Sequence, residues 1–242
     1  MGKKKLERFR EMETFDRVFQ PTFEEFFRKD HPLKGNWGKE VFGNDHPIIL
    51  ELGCGKGEYT LGLARRSPGE NFIGVDIKGA RIWKGARTAH LEQIRNVAFL
   101  RTRIDFIGSF FGRDEVREIW ITFPDPQEKK RRHKKRLTAA LFLNRYRAFL
   151  VDGGTIHLKT DNPLLYGDTL KLLRLNNLPV IRETGDLYST EWAGEAKAIQ
   201  TFYESQFLSE GARISYIQFR LPAGKEILEP GEGNEATGDE NT

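Results

Sequence analysis

The stretch Ile48-Ile49-Leu50-Glu51-Leu52-Gly53-Cys54-Gly55-Lys56-Gly57 decides the fold of this 242-residue chain. Its first five residues, four of them apolar, predict a buried β-strand, and three glycines at alternate positions predict a tight turn directly after it. Residues 59–66 then show the apolar spacing of a helix, which ends before Pro68. A strand, a glycine-rich turn and a helix in this order indicate the first unit of an α/β sheet with a ligand site at the turn.

Six further segments have the short apolar pattern of strands, and they alternate with helical patterns over residues 79–94, 137–151 and 163–176. The six segments are residues 71–77, 97–101, 118–123, 154–159, 180–183 and 214–221. Short apolar strands that alternate with helices are typical of a parallel sheet covered on both faces. We therefore predict an α/β fold with a doubly wound, mostly parallel, seven-stranded sheet.

The composition fits one globular domain, because 38% hydrophobic and 31% charged residues allow the chain to bury a core. Cys54 is the single cysteine, which excludes an internal disulfide and a cysteine-ligated zinc site, and we predict no metal site. The basic start is not followed by an apolar stretch of signal-peptide length, and no run approaches the roughly 20 apolar residues of a membrane-spanning helix. We predict a cytoplasmic protein whose single domain spans residues 21–222.

The net charge of +4 hides an uneven distribution. An N-terminal arm, residues 1–20, carries a local charge of +4 over residues 3–10, and a C-terminal tail, residues 223–242, carries −5. Residues 129–136 read Lys-Lys-Arg-Arg-His-Lys-Lys-Arg, a charge of +7 with His133 neutral, and form what we call the basic cluster. We predict a partly ordered arm, a disordered tail and a polyanionic partner for the basic cluster, the alternative being a solvated charged surface.

The glycine-rich turn also indicates which ligand it binds. A dinucleotide site has the spacing G-x-G-x-x-G, whereas here Gly53, Gly55 and Gly57 alternate. Glu51 precedes them, and S-adenosylmethionine, which has no pyrophosphate, carries an ammonium and a sulfonium that a nearby carboxylate suits. Asp76 ends the next strand, where a carboxylate can accept hydrogen bonds from both ribose hydroxyls. We therefore predict S-adenosylmethionine as the cofactor, with a purely structural turn as the alternative.

A second candidate site follows the predicted strand at residues 118–123. It reads Phe123-Pro124-Asp125-Pro126, and the basic cluster begins three residues later. Two prolines restrict the backbone around Asp125, and the carboxyl ends of parallel strands face the ligand crevice. We expect Asp125 to lie beside the cofactor, with a structural cap as the alternative interpretation.

With these motifs the sequence resembles the bacterial tRNA (guanine-N7-)-methyltransferases. The matching motifs follow one another between residues 45 and 222. They are Glu51 to Gly57, Gly74-Val75-Asp76-Ile77-Lys78, Phe123-Pro124-Asp125-Pro126 with Lys129 and the basic cluster, Leu158-Lys159-Thr160-Asp161-Asn162, and Thr201-Phe202-Tyr203-Glu204. The glycine loop is shared with many methyltransferases, whereas the later motifs are more specific. Two positions depart from the family pattern, since Gln127 stands where a Trp is usual and Phe202 where a basic residue is usual.

The resemblance implies the Rossmann-like class I methyltransferase fold, with the last strand antiparallel. It also implies methyl transfer from S-adenosylmethionine to N7 of a guanine in tRNA, the variable-loop guanine at position 46. The cofactor pocket would be lined by Glu51, Gly53, Gly55, Gly57, Asp76, Asp105 and Asp125, and Asp125 would also be catalytic. The guanine and its surroundings would be held by Lys129, Asp161, Thr201, Phe202, Tyr203 and Glu204. The RNA would be contacted by Arg131, Arg132, His133, Lys134, Lys135 and Arg136.

Two other functions explain part of the sequence. A methyltransferase for a small molecule or a protein would need the glycine loop and Asp76, but not an acid that leads into the basic cluster. An RNA-binding module with a vestigial pocket would be expected to have lost the strand-end acids, whereas Glu51, Asp76 and Asp125 are all present. We expect tRNA as partner, no membrane contact and no obligate protein partner, and the sequence leaves monomer and homodimer open.

Overall fold

A single mixed sheet forms the centre of the computed structural model, which describes residues 3–192 and 194–231. The strands of these residues are β1 Val18–Phe19, β2 Ile48–Leu52, β3 Asn71–Asp76, β4 Val97–Arg101, β5 Val116–Thr122, β6 Leu150–Thr160, β7 Val180–Thr184 and β8 Ser215–Leu221. They lie in the order β1-β4-β3-β2-β5-β6-β8-β7. Neighbouring strands are parallel, except that β8 runs antiparallel to β6 and β7.

Helices connect the parallel strands and cover the sheet. The α-helices are α1 Lys3–Met12, α2 Phe23–Phe26, α3 Glu58–Arg66, α4 Gly79–Leu91, α5 Ala140–Tyr146, α6 Pro163–Leu175, α7 Gly194–Ala198 and α8 Phe202–Ser209. Trp37–Phe42 forms a short π-helix, and Ile104–Ser109, Lys130–Lys135 and Leu187–Ser189 form 3-10 helices. The start of α6 shows why such elements begin where they do. Asn162 accepts a hydrogen bond from the Leu165 amide at 2.8 Å. Pro163 has no backbone N–H, so it leaves no unpaired donor in the first turn.

The middle of the sheet is buried on both faces. Every residue of β2 and β3 is buried, and successive β2 residues alternate between two hydrophobic clusters. Ile49 packs in the cluster that contains residues of α3 and α4, whereas Leu50 packs in the cluster that contains residues of α5 and α6. A continuous apolar strand such as Ile48–Leu52 is stable in this position because helices cover both of its sides.

The predicted fold class is confirmed, including the antiparallel last strand. All seven predicted strands are present, and β1 is an additional strand of two residues that pairs with β4 at the edge of the sheet. A strand of two residues is too short to show the alternation of apolar and polar side chains by which strands are recognised in a sequence. The helix predicted at residues 137–151 ends at Tyr146, and β6 begins at Leu150. Phe149 and Leu150 suit a helix stripe and a buried strand equally well.

Part of the segment predicted as an N-terminal arm packs on the domain. Met12, at the end of α1, is fully buried, and Glu11 accepts a hydrogen bond from Trp83 Nε1 on α4 at 2.6 Å. Residues 18 and 19 belong to the sheet as β1. Docking of the helix removes apolar side chains such as Met12 and Phe15 from water. Residues 3–20 therefore belong to the same domain as residues 21–222, and the predicted boundary at residue 20 is wrong.

The first part of the predicted tail is also attached to the domain. Ile227 is buried, and its backbone is held by both polar groups of the Asn144 side chain, at 2.9 and 3.0 Å. The rest of the predicted tail, residues 232–242, lies outside the described residues. None of the helices within residues 3–192 and 194–231 has the length and apolar character needed to cross a membrane.

Candidate active site

The glycine loop adopts a backbone conformation that favours glycine at three positions. Gly53, Gly55 and Gly57 have φ values of 81°, 55° and 70°. Gly57 is also enclosed, because a Cβ atom there would lie 2.7 Å from the ring of Phe99. The turn is fastened to the neighbouring strand, where Val75 O accepts hydrogen bonds from the amides of Gly53 and Cys54. The loop is therefore rigid and presents bare backbone at the carboxyl end of β2.

Asp76 closes the loop from the end of β3. One carboxylate oxygen accepts a hydrogen bond from the Gly55 amide at 2.9 Å, and the other accepts one from the Lys78 amide at 2.8 Å. Each carboxylate oxygen has a second lone pair, so the side chain can still accept two hydrogen bonds from a ligand. Asp76, predicted to bind the ribose of the cofactor, therefore lies at the end of its strand and beside the glycine loop.

Glu51 lies almost completely buried beneath the loop. Its carboxylate accepts hydrogen bonds from the Thr60 amide at 2.8 Å, from the Thr60 hydroxyl, and from the Thr122 hydroxyl at 2.7 Å. The pKa of Glu51 is raised to about 7. Burial is the main cause and the charge of Asp76 a smaller one, while the hydrogen bonds from the two threonines oppose them. Glu51 therefore ties together β2, α3 and β5, and it titrates near neutrality.

A small cleft of about 80 Å³ opens between the glycine loop, the end of β5 and the start of α8. It is lined by Glu51, Gly53, Cys54, Gly55, Lys56, Glu58, Arg81, Thr122, Phe123, Thr201 and Tyr203. Two predicted groups, the cofactor loop and the late motif at residues 201–204, therefore meet although about 150 residues separate them. The contributions of Thr122 and Arg81 were not foreseen, since neither stands in a residue pattern with a chemical signature, and Lys56 was given no role although it stands in the glycine loop.

Asp125 is exposed on a restrained loop that follows β5. Its Oδ1 accepts a hydrogen bond from the Gln127 amide at 3.0 Å. Phe123 and Gln127, which flank the Pro-Asp-Pro segment, both have positive φ values, 48° and 47°. Such values are strained for residues other than glycine and concentrate at functional sites. The Phe123 amide donates to Lys159 O at 2.9 Å, which fixes the loop on β6.

Asp161 follows the end of β6, the next strand of the sheet after β5. It is half-buried, and within the described residues its carboxylate has no hydrogen bond or ion pair. The neighbouring Asn162 donates a hydrogen bond to Glu128 Oε1 at 3.0 Å, so the Asp125 loop and the end of β6 are joined. Lys129 is exposed beside Glu128. The structure therefore brings Asp125, Lys129 and Asp161 to one edge of the sheet.

Glu204, predicted to hold the guanine, is fully buried and belongs to an internal ion pair. Its carboxylate lies 2.8 Å from Lys159 Nζ, accepts a hydrogen bond from Tyr188 at 2.9 Å, and faces the Thr201 amide in a capping box. Burial lowers the pKa of Lys159, and the charge of Glu204 opposes this effect. Lys159 was missed as a functional residue, although a lysine inside the apolar run of β6 is a signal for a buried partner.

Phe202 and Tyr203 are exposed at the start of α8. Lys56 Nζ lies 4.1 Å from the centre of the Phe202 ring and 5.3 Å from that of Tyr203, so a cation from the glycine loop covers the aromatic pair. The Phe202 amide donates to Glu58 Oε2 at 2.8 Å, which holds α8 against α3.

The basic cluster forms a short 3-10 helix, and its last residue differs from the others. Arg136 is only 4% exposed, donates to Pro126 O at 2.8 Å and to Asp168 at 2.7 Å, and is not placed to contact RNA as predicted. Its guanidinium instead fastens the Asp125 loop to α6. His133 is half-buried with Nε2 3.1 Å from Glu128 O. The other predicted RNA contacts, Arg131, Arg132, Lys134 and Lys135, are exposed.

Asp105 stands apart from the predicted cofactor pocket. It is exposed in the 3-10 helix after β4 and forms ion pairs with Arg103 at 3.2 Å and with Arg145 at 3.5 Å. Asp76, Asp105 and Asp125 are all absent from the lining of the cleft, but Asp76 contacts the glycine loop and Asp125 follows the lining residue Phe123 closely, whereas Asp105 does neither. The carboxylate of Asp105 is thus paired with two arginines. The segment Arg-Thr-Arg-Ile-Asp contains no motif that would have predicted these ion pairs.

Comparison with known proteins identifies the family of this chain. The family described as "Putative methyltransferase" matches residues 45–216. A tRNA (guanine-N(7)-)-methyltransferase of Christiangramia forsetii is 52% identical over 91% of this chain and 99% of the relative, and one of Bacteroides thetaiotaomicron is 49% identical over 95% and 90%. The chain belongs to the tRNA (guanine-N7-)-methyltransferase family. The identity over nearly all of both chains covers the glycine loop, the Asp125 loop and the late motif of this methyltransferase together.

A solved 16S rRNA methyltransferase, KamB, shares the fold of this methyltransferase. It superposes with a TM-score of 0.57 at 13% identity and covers 76% of this chain and 92% of that one. The agreement at such low identity supports the class I fold of the sheet. Within residues 3–192 and 194–231 no three His, Cys, Asp or Glu side chains are grouped to hold a metal ion.

Proposed function

We propose that this methyltransferase transfers the methyl group of S-adenosylmethionine to N7 of a guanine in tRNA, the variable-loop guanine at position 46, in the cytoplasm. The observation that carries the proposal is the place of Asp125. It stands on a strained loop between a glycine-rich cleft and an exposed basic helix. A carboxylate there can meet a base while the adjacent cations meet phosphates.

The glycine loop and the acids beside it suit the cofactor. S-Adenosylmethionine, when bound, supplies a methyl group already activated by a positive sulfur. Asp76 has two free lone pairs for the ribose hydroxyls, and the three glycines let the ligand approach the backbone closely. Glu51, which titrates near 7, offers negative charge beneath the loop. The alternating glycines lack the G-x-G-x-x-G spacing of a dinucleotide site, which agrees with a cofactor that has no pyrophosphate.

The chain has a simple task toward the guanine. N7 carries an in-plane lone pair, so no proton has to leave before attack, and the main requirement is alignment of the reacting atoms. Methylation places positive charge on the ring, and the carboxylate of Asp125 would stabilise that charge. Asp161, whose carboxylate has no partner within the described residues, is suited to accept hydrogen bonds from the N1–H and amino group of the guanine.

The surroundings of the guanine would be built from both sides of the cleft. Phe202 and Tyr203 offer exposed aromatic faces, and Thr201 caps the helix that carries them. Glu204 acts as a positioning residue, because its buried pair with Lys159 fixes the start of α8. In an RNA helix N7 faces a deep, narrow groove, so a guanine in a loop, or one that is extruded, is the expected target.

The test uses S-adenosylmethionine labelled in its methyl group and tRNA from cells that lack this modification. We expect label in the tRNA, and digestion to nucleosides should yield 7-methylguanosine from the variable loop. A transcript with the variable-loop guanine changed to adenine is the matched control and should remain unlabelled. Label on protein, on a small molecule or on another atom of the RNA would overturn the proposal.

A further inference from the structure

Residues 223–231 lead from β8 to the basic cluster along a fixed path. Asn144 holds both backbone groups of Ile227, and Asn176 Oδ1 accepts a hydrogen bond from the Leu228 amide at 2.8 Å. Ile227 itself is 3% exposed and belongs to the hydrophobic core. These contacts fix the direction of the chain up to residue 231, so the position from which the following residues continue is determined.

The fixed path ends at a cleft of about 580 Å³ beside the basic cluster. Glu229 and Pro230 line one part of this cleft, and Lys130, Lys134 and Lys171 line another. Glu229 Oε1 accepts a hydrogen bond from the Ala140 amide at 2.9 Å, in the first turn of α5. A carboxylate at a helix start is stabilised by the free amides there, so one acid of the C-terminal region is already docked next to the cluster.

The next eleven residues, 232–242, complement the cluster in charge. They contain Glu232, Glu235, Asp239 and Glu240 and no basic residue. An extended chain of this length spans up to about 35 Å, whereas a six-residue 3-10 helix is only about 12 Å long. Tethering through so short a connection corresponds to an effective concentration of about millimolar. Four carboxylates are therefore held within reach of the exposed cations.

We propose that residues 232–242, which we call the acidic segment, occupy the basic cluster when RNA is absent and are displaced by RNA phosphates. The inference rests on the proposed function, which makes RNA the polyanion. Arg136 is already paired with Asp168, so the acidic segment and the RNA compete for the exposed cations of the cluster. A short or weakly bound polyanion cannot displace the segment, whereas tRNA, which offers many phosphates, can. The segment thus lowers the affinity of the cluster for every polyanion, so that only a ligand with many phosphates occupies a surface that reads no sequence.

The experiment compares three proteins that all keep the folded domain. They are the complete chain, a chain that stops after Gly231, and the variant Glu232→Gln/Glu235→Gln/Asp239→Asn/Glu240→Gln. Dissociation constants for tRNA and for heparin are measured by titration from about 50 mM to about 500 mM KCl, a range in which phosphate contacts weaken steeply. Turnover at saturating tRNA is measured in parallel. We expect both altered chains to bind either polyanion about five- to thirtyfold more tightly at low salt, as four surface ion pairs of ordinary strength would produce. Turnover at saturation should be unchanged.

The difference should vanish at high salt, because the internal contact is screened and the complete chain then behaves as the altered ones do. A peptide of residues 232–242 added to the shortened chain should weaken heparin binding, whereas the same peptide with its four acids neutralised should not. Equal affinities of all three proteins across the salt range would overturn the proposal, and so would tighter binding by the shortened chain alone, which would indicate steric hindrance. Heparin reports the competition without RNA chemistry, so a failure of the proposed function is distinguishable from a failure of this inference.

Discussion

At the scale of single residues, Asp125 combines exposure with restraint. Its side chain is open to solvent, while Phe123 and Gln127 hold the loop in strained conformations and Arg136 fixes Pro126 from below. An exposed carboxylate that makes one local hydrogen bond contributes little to folding. Substitution of Asp125 should therefore test the proposed chemical role with little effect on the fold.

We predict that Asp125→Asn lowers turnover at saturating tRNA by about 10²- to 10³-fold, as the loss of one preorganised charge-stabilising group does. Its midpoint of urea unfolding and its affinity for the cofactor should stay close to those of the parent. Turnover is followed by incorporation of labelled methyl groups. The matched control is Asp45→Asn, an exposed acid before the amino end of β2, which should leave turnover unchanged. Near-normal turnover of Asp125→Asn would remove this residue from the mechanism.

Glu51 behaves differently because it is buried and its pKa lies near 7. A ligand that brings positive charge to the loop favours the ionised carboxylate, so binding releases a proton wherever Glu51 is protonated beforehand. Cofactor affinity should therefore rise with pH below 7, by up to about tenfold per pH unit, and level off above 7. The same carboxyl favours folding at low pH, since its pKa in the folded protein is raised, and this contribution falls as the pH rises through 7.

Isothermal titration of the cofactor between pH 5.5 and 8, in buffers of different ionisation enthalpy, measures this proton release directly. In Glu51→Gln the amide can keep hydrogen bonds to Thr60 and Thr122 but cannot titrate, so only the titration of the ligand itself should remain. Identical pH profiles of the parent and the variant would contradict the assignment of the proton to Glu51.

At the scale of elements, the glycine loop is fixed by steric constraints that a single methyl group would violate. Gly57→Ala combines a positive φ with a Cβ that would lie 2.7 Å from the Phe99 ring, and we predict a loss of at least about 2 kcal/mol in the free energy of unfolding. Cofactor affinity should fall as well. Gly69→Ala is the control, because its Cβ would meet no atom within 4 Å. Urea unfolding of the two variants distinguishes the steric clash at Gly57 from the effect that replacing any glycine with alanine has on the free energy of unfolding.

The start of α8 depends on the buried pair of Lys159 and Glu204. Removal of one partner leaves an uncompensated charge, so Lys159→Met and Glu204→Leu should each lower the free energy of unfolding by about 3–5 kcal/mol. The double variant should be less destabilised than the sum of the single variants, because no charge is then left buried. Additive losses in a double-mutant cycle of urea unfolding would show that the two side chains do not act as a pair.

The elements also show where sequence reasoning succeeds. The glycine loop and Asp76 were predicted because their positions depend on local turn geometry and on a strand end, both of which leave a pattern in the sequence. The edge strand β1 and the docking of α1 were not, since they depend on contacts with distant segments. Glu204 was assigned to the guanine because nothing in the sequence pairs it with Lys159, which stands 45 residues earlier in another motif.

At the scale of the whole molecule, the carboxyl edge of the sheet collects the chemistry and the charge. The ends of β2 and β3 carry Glu51 and Asp76, and the loops after β5 and β6 carry Asp125 and Asp161. The four acids lie along one edge in an order set by the strand order and not by the sequence. The basic cluster extends this edge, and Arg136 with Asp168 anchors it to α6. A polyanion that binds the cluster is thereby brought close to these acids.

This arrangement predicts a steep dependence of tRNA binding on salt, to which the exposed arginines of the cluster contribute directly. For Arg131→Gln/Arg132→Gln, the slope of the logarithm of affinity against the logarithm of salt concentration should become shallower by about one to two units, because two phosphate contacts are lost. The control Lys39→Gln/Arg113→Gln removes the same charge from side chains that are 84% and 90% exposed near the amino ends of β2 and β5. If both double variants reduce the slope equally, the net charge of the molecule attracts the RNA, and the cluster has no privileged role. A reduction confined to the cluster variant, with turnover at saturating tRNA retained, would show that these two arginines hold the RNA backbone and take no part in the methyl transfer.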